Sequence, residues 1–266
     1  MRWSLAAFLI LSGPGHVPGL HAQGNGATVA ARFAAPAGAA RTTAEPGSFA
    51  HYLRQLPLRP PGSAVHLFDG RPKARQDVHA AVIDMSVGGK DLQQCADAVI
   101  RLHAEHLFAQ GRHADIHYRF TNGFPAEWER WREGQRIRVE GNTCRWSRTA
   151  TPDSSHAQLL NYLNTVFSYA GTLSLATELV PAAHRPPQSG DVFIQGGSPG
   201  HAVIVVDVAR SADGRTYLML AQSYMPAQEI HILRGPVADV WYEVGATDVL
   251  RTPEWTFNWS DRKRWP

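Results

Sequence analysis

Cysteine and histidine are the side chains best suited to nucleophilic chemistry near neutrality, and this chain of 266 residues carries two cysteines and thirteen histidines. A cysteine hydrolase needs a thiolate, a base to form it, and a group that orients the base. Cys95 falls in the first turn or so of a predicted helix, where the positive end of the macrodipole lowers a thiol pKa. His201 opens an apolar run directly after Gly196-Gly197-Ser198-Pro199-Gly200. Glycine-rich loops at a sheet edge let a substrate backbone approach closely, so Gly197, Ser198 and Gly200 are candidate substrate contacts. If the next turn centres near Ala212-Asp213, residues whose numbers sum to about 425 lie opposite one another across the hairpin. His201 then faces 222–224, and Gln222 or Ser223 can fix the imidazole tautomer. Gln94, immediately before the thiol, is placed to polarise an oxyanion. Asp207 lies six residues along the same strand, roughly 20 Å from His201, too far to orient it.

Blander roles for the same residues remain open. Cys95 and Cys144 could form a disulfide in an oxidising compartment, or Cys95 could be an inert thiol on an apolar helix face. His201 could cap a strand end. His103 and His106 are three apart on a helix and lack the His-Glu-x-x-His spacing of zincins, while His113 and His117, four apart along an expected strand, would sit about 13 Å from each other. No metal site and no cofactor is expected. Trp128 and Trp131, with Phe120 and Phe124, either floor a substrate cleft or, being three apart on a helix, belong to the core.

The elements that must position these groups can be read from periodicity and punctuation. Ser48 caps a short helix over 49–56, and 80–86 reads as a strand. Asp91 and Gln94 stand in N-cap and N3 relation, and Leu92, Cys95, Val99, Leu102 and His106 mark one helix face. Short elements follow: a strand over 116–120, a helix over 125–133, a helix over 158–167 that continues over 172–179 past Gly171. From 188 the pattern becomes sheet, with strands over 191–194, 201–208, 216–221 and 230–233. Helices first and an antiparallel sheet last predict an α+β domain, helices packed on an antiparallel sheet.

Arg2, an apolar run over 3–11, the breakers Ser12-Gly13-Pro14-Gly15 and a small-residue site at Leu20-His21-Ala22 read as a signal peptide over 1–22. That run is too short to span a bilayer, and the expected location is secreted or periplasmic. Residues 23–47, rich in Ala, Gly, Thr and Pro, read as a flexible linker, leaving 48–266 as one domain. The net charge of +3 is dispersed except at Arg262-Lys263-Arg264, so a nucleic-acid partner is not expected. Composition does not indicate an oligomeric state.

Two long stretches, DLQQCADAVIRL (91–102) and GDVFIQGGSPGHAVIVVD (190–207), resemble a bacterial family known as a domain of unknown function (DUF4846). FTNGF (120–124), WREG (131–134), YAGTLSL (169–175) and AQSYMPAQEIH (221–231) fit as well, so the resemblance covers nearly everything after residue 47. A second, weaker resemblance links Gly190-Asp191-Val192-Phe193 and Gly200-His201-Ala202-Val203-Ile204 to the NlpC/P60-type papain-like cysteine hydrolases of cell walls. It implies a papain-like fold, Cys95 as nucleophile, His201 as base, and peptidoglycan or another peptide as substrate. Two departures accompany it: Cys95 is not in an Asp-Cys-Ser-Gly setting, and 106 residues separate it from His201. The alternative to an enzyme is a non-catalytic binding protein of the cell envelope.

Overall fold

The computed structural model describes residues 26–245 and 248–266; the leader read at 1–22 lies outside them. Thr28 caps α1 (Val29–Arg32), and β1 (Ala39–Arg41) follows. Ser48 caps α2 (Phe49–Arg54), its hydroxyl accepting the His51 N–H at 3.1 Å. β2 (His79–Val82) precedes the long helix α3 (Cys95–Ala109). β3 (His117–Arg119) and β4 (Pro125–Glu127) form a hairpin that leads into α4 (Trp128–Arg132). The opening of the helix expected over 125–133 is therefore strand, held by its pairing with β3 in the register Arg119 to Pro125, Tyr118 to Ala126 and His117 to Glu127. A second hairpin, β5 (Gln135–Glu140) and β6 (Thr143–Arg148), precedes α5 (His156–Tyr169). α6 (Thr172–Glu178) is a separate helix, since Ala170 and Gly171 are extended and the Gly171 N–H turns to the Ser174 hydroxyl.

The C-terminal half supplies β7 (Val180–Pro181), β8 (Val192–Gln195), β9 (His201–Ser211), β10 (Thr216–Gln222), β11 (His231–Leu233) and β12 (Trp241–Val244). β13 (Val249–Arg251) and β14 (Thr256–Asn258) pair with each other, and β15 (Arg262–Arg264) closes the chain. Nine strands form one sheet in the order β2-β11-β10-β9-β8-β15-β7, with β1 on the far end of β9 and β12 on the far end of β10. Alternation along β9 sends Ala202, Ile204 and Val206 into the core shared with α3 and α5, and Val203 and Val205 into a second cluster with Phe193, Leu220 and Phe257. The chain is thus a mixed fold of helices and antiparallel sheet, of the α+β class. No helix among the described residues is long and apolar enough to cross a membrane.

The linker expected over 23–47 is corrected from residue 28 onward. Val29 and Phe33 are buried in the core, and β1 pairs with β9. Composition under-rated this stretch because its ordering rests on a few anchors. Asp207, fully buried on β9, receives Arg41 Nε at 2.5 Å and Arg54 Nε at 2.6 Å. A buried carboxylate without those guanidinia would be strongly unfavourable, so the pair fastens both segments to the sheet.

Candidate active site

Cys95 is the first residue of α3, and Gln94 is its N-cap. The cap lies three residues later than the sequence spacing suggests: the Gln94 N–H donates to Asp97 Oδ2 at 3.0 Å, while the Gln94 side chain donates to Asp91 Oδ1 at 3.1 Å. Gln94 therefore spends its amide on Asp91, which argues against it as the oxyanion donor. The neighbouring Gln93 keeps its amide nitrogen free of such a bond: it is buried, its Oε1 accepts from Arg101 at 3.1 Å, and its Nε2 has no hydrogen-bond partner.

Cys95 is 8% exposed, and the backbone N–H groups of Ala96, Ala202 and Cys95 act to lower the pKa of its thiol. Those donors favour a thiolate, as expected at a helix start. Burial, and then the neighbouring Asp97 carboxylate, outweigh them and push the thiol up to about 11. The macrodipole expectation is thus reversed by desolvation. Cys95 and Cys144 are both free thiols, so the disulfide is not formed; Cys144 sits on β6 with Asn122 Nδ2 at 3.3 Å.

His201 starts β9, and the hairpin register agrees with the sequence arithmetic: Ala221 faces Ile204, which places 222–224 opposite 201–203. His201 Nε2 lies 2.8 Å from Gln222 Oε1. Gln222 Nε2 donates to Glu254 Oε2 at 2.6 Å and faces His231 Nε2 at 3.4 Å, and Glu254 Oε1 receives Lys73 Nζ at 2.7 Å. An ionised carboxylate only accepts, so the Gln222 NH2 must face Glu254 and its oxygen must face His201. The imidazole then carries its proton on Nε2, leaving Nδ1 as the basic nitrogen. Burial pushes His201 down to about 4 despite the opposing pull of Gln222 and Glu254, so the ring is neutral at rest.

Aromatic rings enclose this imidazole: Tyr224 at 4.8 Å, Trp255 at 5.3 Å and Phe257 at 5.9 Å between centroids. Trp255 is held there by its Nε1–H, which donates to Gln195 Oε1 at 2.9 Å; Gln195 is the register partner of His201 on β8. Glu254, Trp255, Phe257 and Lys73 escaped the sequence reading. They come from the loop and short strand at 252–258 and from an irregular segment near 73, where no periodicity marks them.

Other candidates take different places. Ser223 does not touch His201: its hydroxyl contacts the carbonyls of Gln93 and Gln228 at 3.0 and 2.8 Å, and so braces the segment ahead of Cys95. Trp128 and Trp131 are buried at 0% and 6% exposure, in the core and not on a cleft, because α4 packs against α5 with both rings beside Tyr162. Gly200 is glycine because a Cβ there would lie 2.5 Å from Thr172 Oγ1 and 2.6 Å from the Gly197 carbonyl. The space it frees is filled by α6, not left for a substrate. Thr172 Oγ1 also bridges the Gly197 carbonyl and N–H, while Ser198 stays exposed on the loop. Gly190 likewise makes room for the Phe49 ring, and Asp191 is in a buried ion pair with Arg262. That Gly-Asp pair serves the fold.

The chain is an α+β protein with a buried thiol at the start of a helix and, at the start of a strand, a buried imidazole hydrogen-bonded to a buried amide. It belongs to the family described as a domain of unknown function (DUF4846), which matches residues 29–264. No curated protein and no solved structure matches it.

Proposed function

We propose that this chain is an exported papain-like cysteine hydrolase, similar to the NlpC/P60 type, that cleaves peptide or amide bonds, with peptidoglycan stem peptides as substrate. The observation that carries the reading is the neutral His201 imidazole whose Nε2 is committed to Gln222, which leaves Nδ1 free as a base, in a chain whose buried thiol nucleophile, Cys95, opens α3. In this mechanism His201 Nδ1 takes the Cys95 proton as the sulfur attacks the carbonyl carbon. The tetrahedral oxyanion forms at the α3 N-terminus, where the Cys95 N–H can donate to it. The C–N bond then breaks, the leaving amine takes the proton from Nδ1, and a water activated by His201 hydrolyses the thioester to release a carboxylic acid and regenerate the thiol. In this reading the stretch 1–22 serves as an export leader, and the substrate is the cell wall that an exported chain would meet.

A second reading, a non-catalytic binding protein of the cell envelope, draws on the burial of Cys95 and the upward push on its thiol. Digestion of muropeptides by the purified protein and by Cys95→Ala separates the two. New amino termini with the natural chain and none with the variant support the enzyme; identical products from both leave only binding.

A further inference from the structure

A second histidine, with no part in the bond-breaking steps, stands behind the His201–Gln222 contact. His231 lies on β11 directly opposite Gln222 on β10, and it is fully buried. Its two ring nitrogens have different neighbours. Nδ1 is 2.9 Å from the Glu229 carbonyl oxygen, and Nε2 is 3.4 Å from Gln222 Nε2. A carbonyl oxygen only accepts, so Nδ1 carries the proton. Burial pushes this imidazole down to about 3, so it holds no second proton near neutrality. Its Nε2 is therefore a bare acceptor beside the Gln222 amide.

The Gln222 NH2 has two N–H groups to place. Glu254 Oε2 takes one at 2.6 Å, and His231 Nε2 is placed to take the other. Turned over, the amide would set its oxygen against a carboxylate and against a bare ring nitrogen. Unmatched buried polar atoms cost about 1–3 kcal/mol each. The two partners come from different parts of the fold. Glu254 belongs to the loop between β13 and β14 and depends on Lys73, whereas His231 is held by strand register between β2 and β10. The His231 contact is the longer and hence the weaker of the two, so it adds to the hold of Glu254 and does not replace it.

We propose that His231 is a positioning residue, acting through the Gln222 amide to keep the His201 proton on Nε2 and Nδ1 free as the base. An orientation, not a proton, passes from the Glu229 carbonyl to His231, then to Gln222 and His201. The effect on hydrolysis rests on the cysteine-hydrolase reading; the effect on the tautomer does not.

Nitrogen NMR of the natural chain should show His231 as the Nδ1–H tautomer and His201 as the Nε2–H tautomer. His231→Phe keeps a ring but loses both nitrogens, and in it His201 should become a mixture of tautomers. His231→Gln restores an acceptor oxygen and should return His201 toward Nε2–H. Muropeptide hydrolysis should fall by about two- to tenfold in His231→Phe, in kcat and not in KM, as the fraction of His201 with a free Nδ1 falls. Thermal melting shows which variants fold; if His231→Phe does not, the His231 tautomer of the natural chain decides. A natural chain with the His231 proton on Nε2 overturns the inference, as does an unchanged His201 tautomer in folded His231→Phe. The tautomer shift in a protein that cleaves no muropeptide supports the inference and refutes the hydrolase reading instead.

Discussion

His201 and Gln222 meet at 2.8 Å, imidazole Nε2 to amide Oε1, from the facing ends of two neighbouring strands. What fixes that contact lies behind it, since the Gln222 amide can turn over freely unless its NH2 is held. Glu254, itself held by Lys73, supplies the hold. The orientation of one amide thus sets which nitrogen of His201 is basic.

Gln222→Ala should lower hydrolysis by about 10²-fold, within the usual range for disturbing an acid–base group. The double variant Lys73→Met/Glu254→Gln leaves no unpaired buried ammonium, and it should cost about tenfold. Its mark is spectroscopic: nitrogen NMR of His201 should report the Nε2–H tautomer in the natural chain and a mixture in the double variant. A single unchanged tautomer in both would show that Glu254 has no such role.

Both groups are neutral at rest, with the Cys95 thiol pushed up to about 11 and the His201 imidazole down to about 4, each by burial. Activity should therefore fall as pH drops through about 4, because a protonated His201 cannot accept the thiol proton. In a Cys144→Ala background, iodoacetamide should alkylate Cys95 slowly near neutrality and faster toward pH 11. Rapid alkylation with an inflection in mildly acidic solution would reveal a thiolate–imidazolium pair instead.

Asp97 is buried, and burial raises its carboxyl from the ordinary 3.8 to about 8. The folded chain holds this proton more tightly than the unfolded chain does. Its contribution to stability is accordingly full below about pH 4 and is lost as pH rises through about 8. Urea midpoints measured across this window should decline with pH, and Asp97→Asn should flatten the decline. An equal slope in both proteins would remove Asp97 as its cause.

Arg262 and Asp191 form an ion pair with both side chains fully buried, and Arg262 also reaches the Ala182 carbonyl at 2.8 Å. Arg262→Ala leaves the carboxylate without this partner and should destabilise the fold by about 3–5 kcal/mol. Asp191→Leu/Arg262→Met removes both charges and should lie closer to the natural chain in chemical denaturation. A loss below 1 kcal/mol for Arg262→Ala would mean that Arg264 compensates alone.

The reach of the sequence was uneven for identifiable reasons. His201 and Gln222 could be brought together because a tight turn at 212–214 fixes the register of the hairpin, and register is simple arithmetic once the turn is known. Ser223 and Gln94 were chosen by proximity in number, yet a strand sends neighbours to opposite faces and a cap shifted by three residues reassigns an amide. Glu254 and Lys73 form half of the network from loops that carry no period. The strand start at Pro125 and the ordering of residues 28–42 both depend on distant partners, which local composition does not record.

The pairing of β1 with β9 joins a strand made early in synthesis to one made some 170 residues later. The Asp207 carboxylate that Arg41 and Arg54 must find is likewise near the end of translation. Contacts of such long sequence separation slow folding, because the loop must close before they form. This chain consequently cannot complete its fold until most of it has been released, and its first helix and strand wait unpaired for that interval.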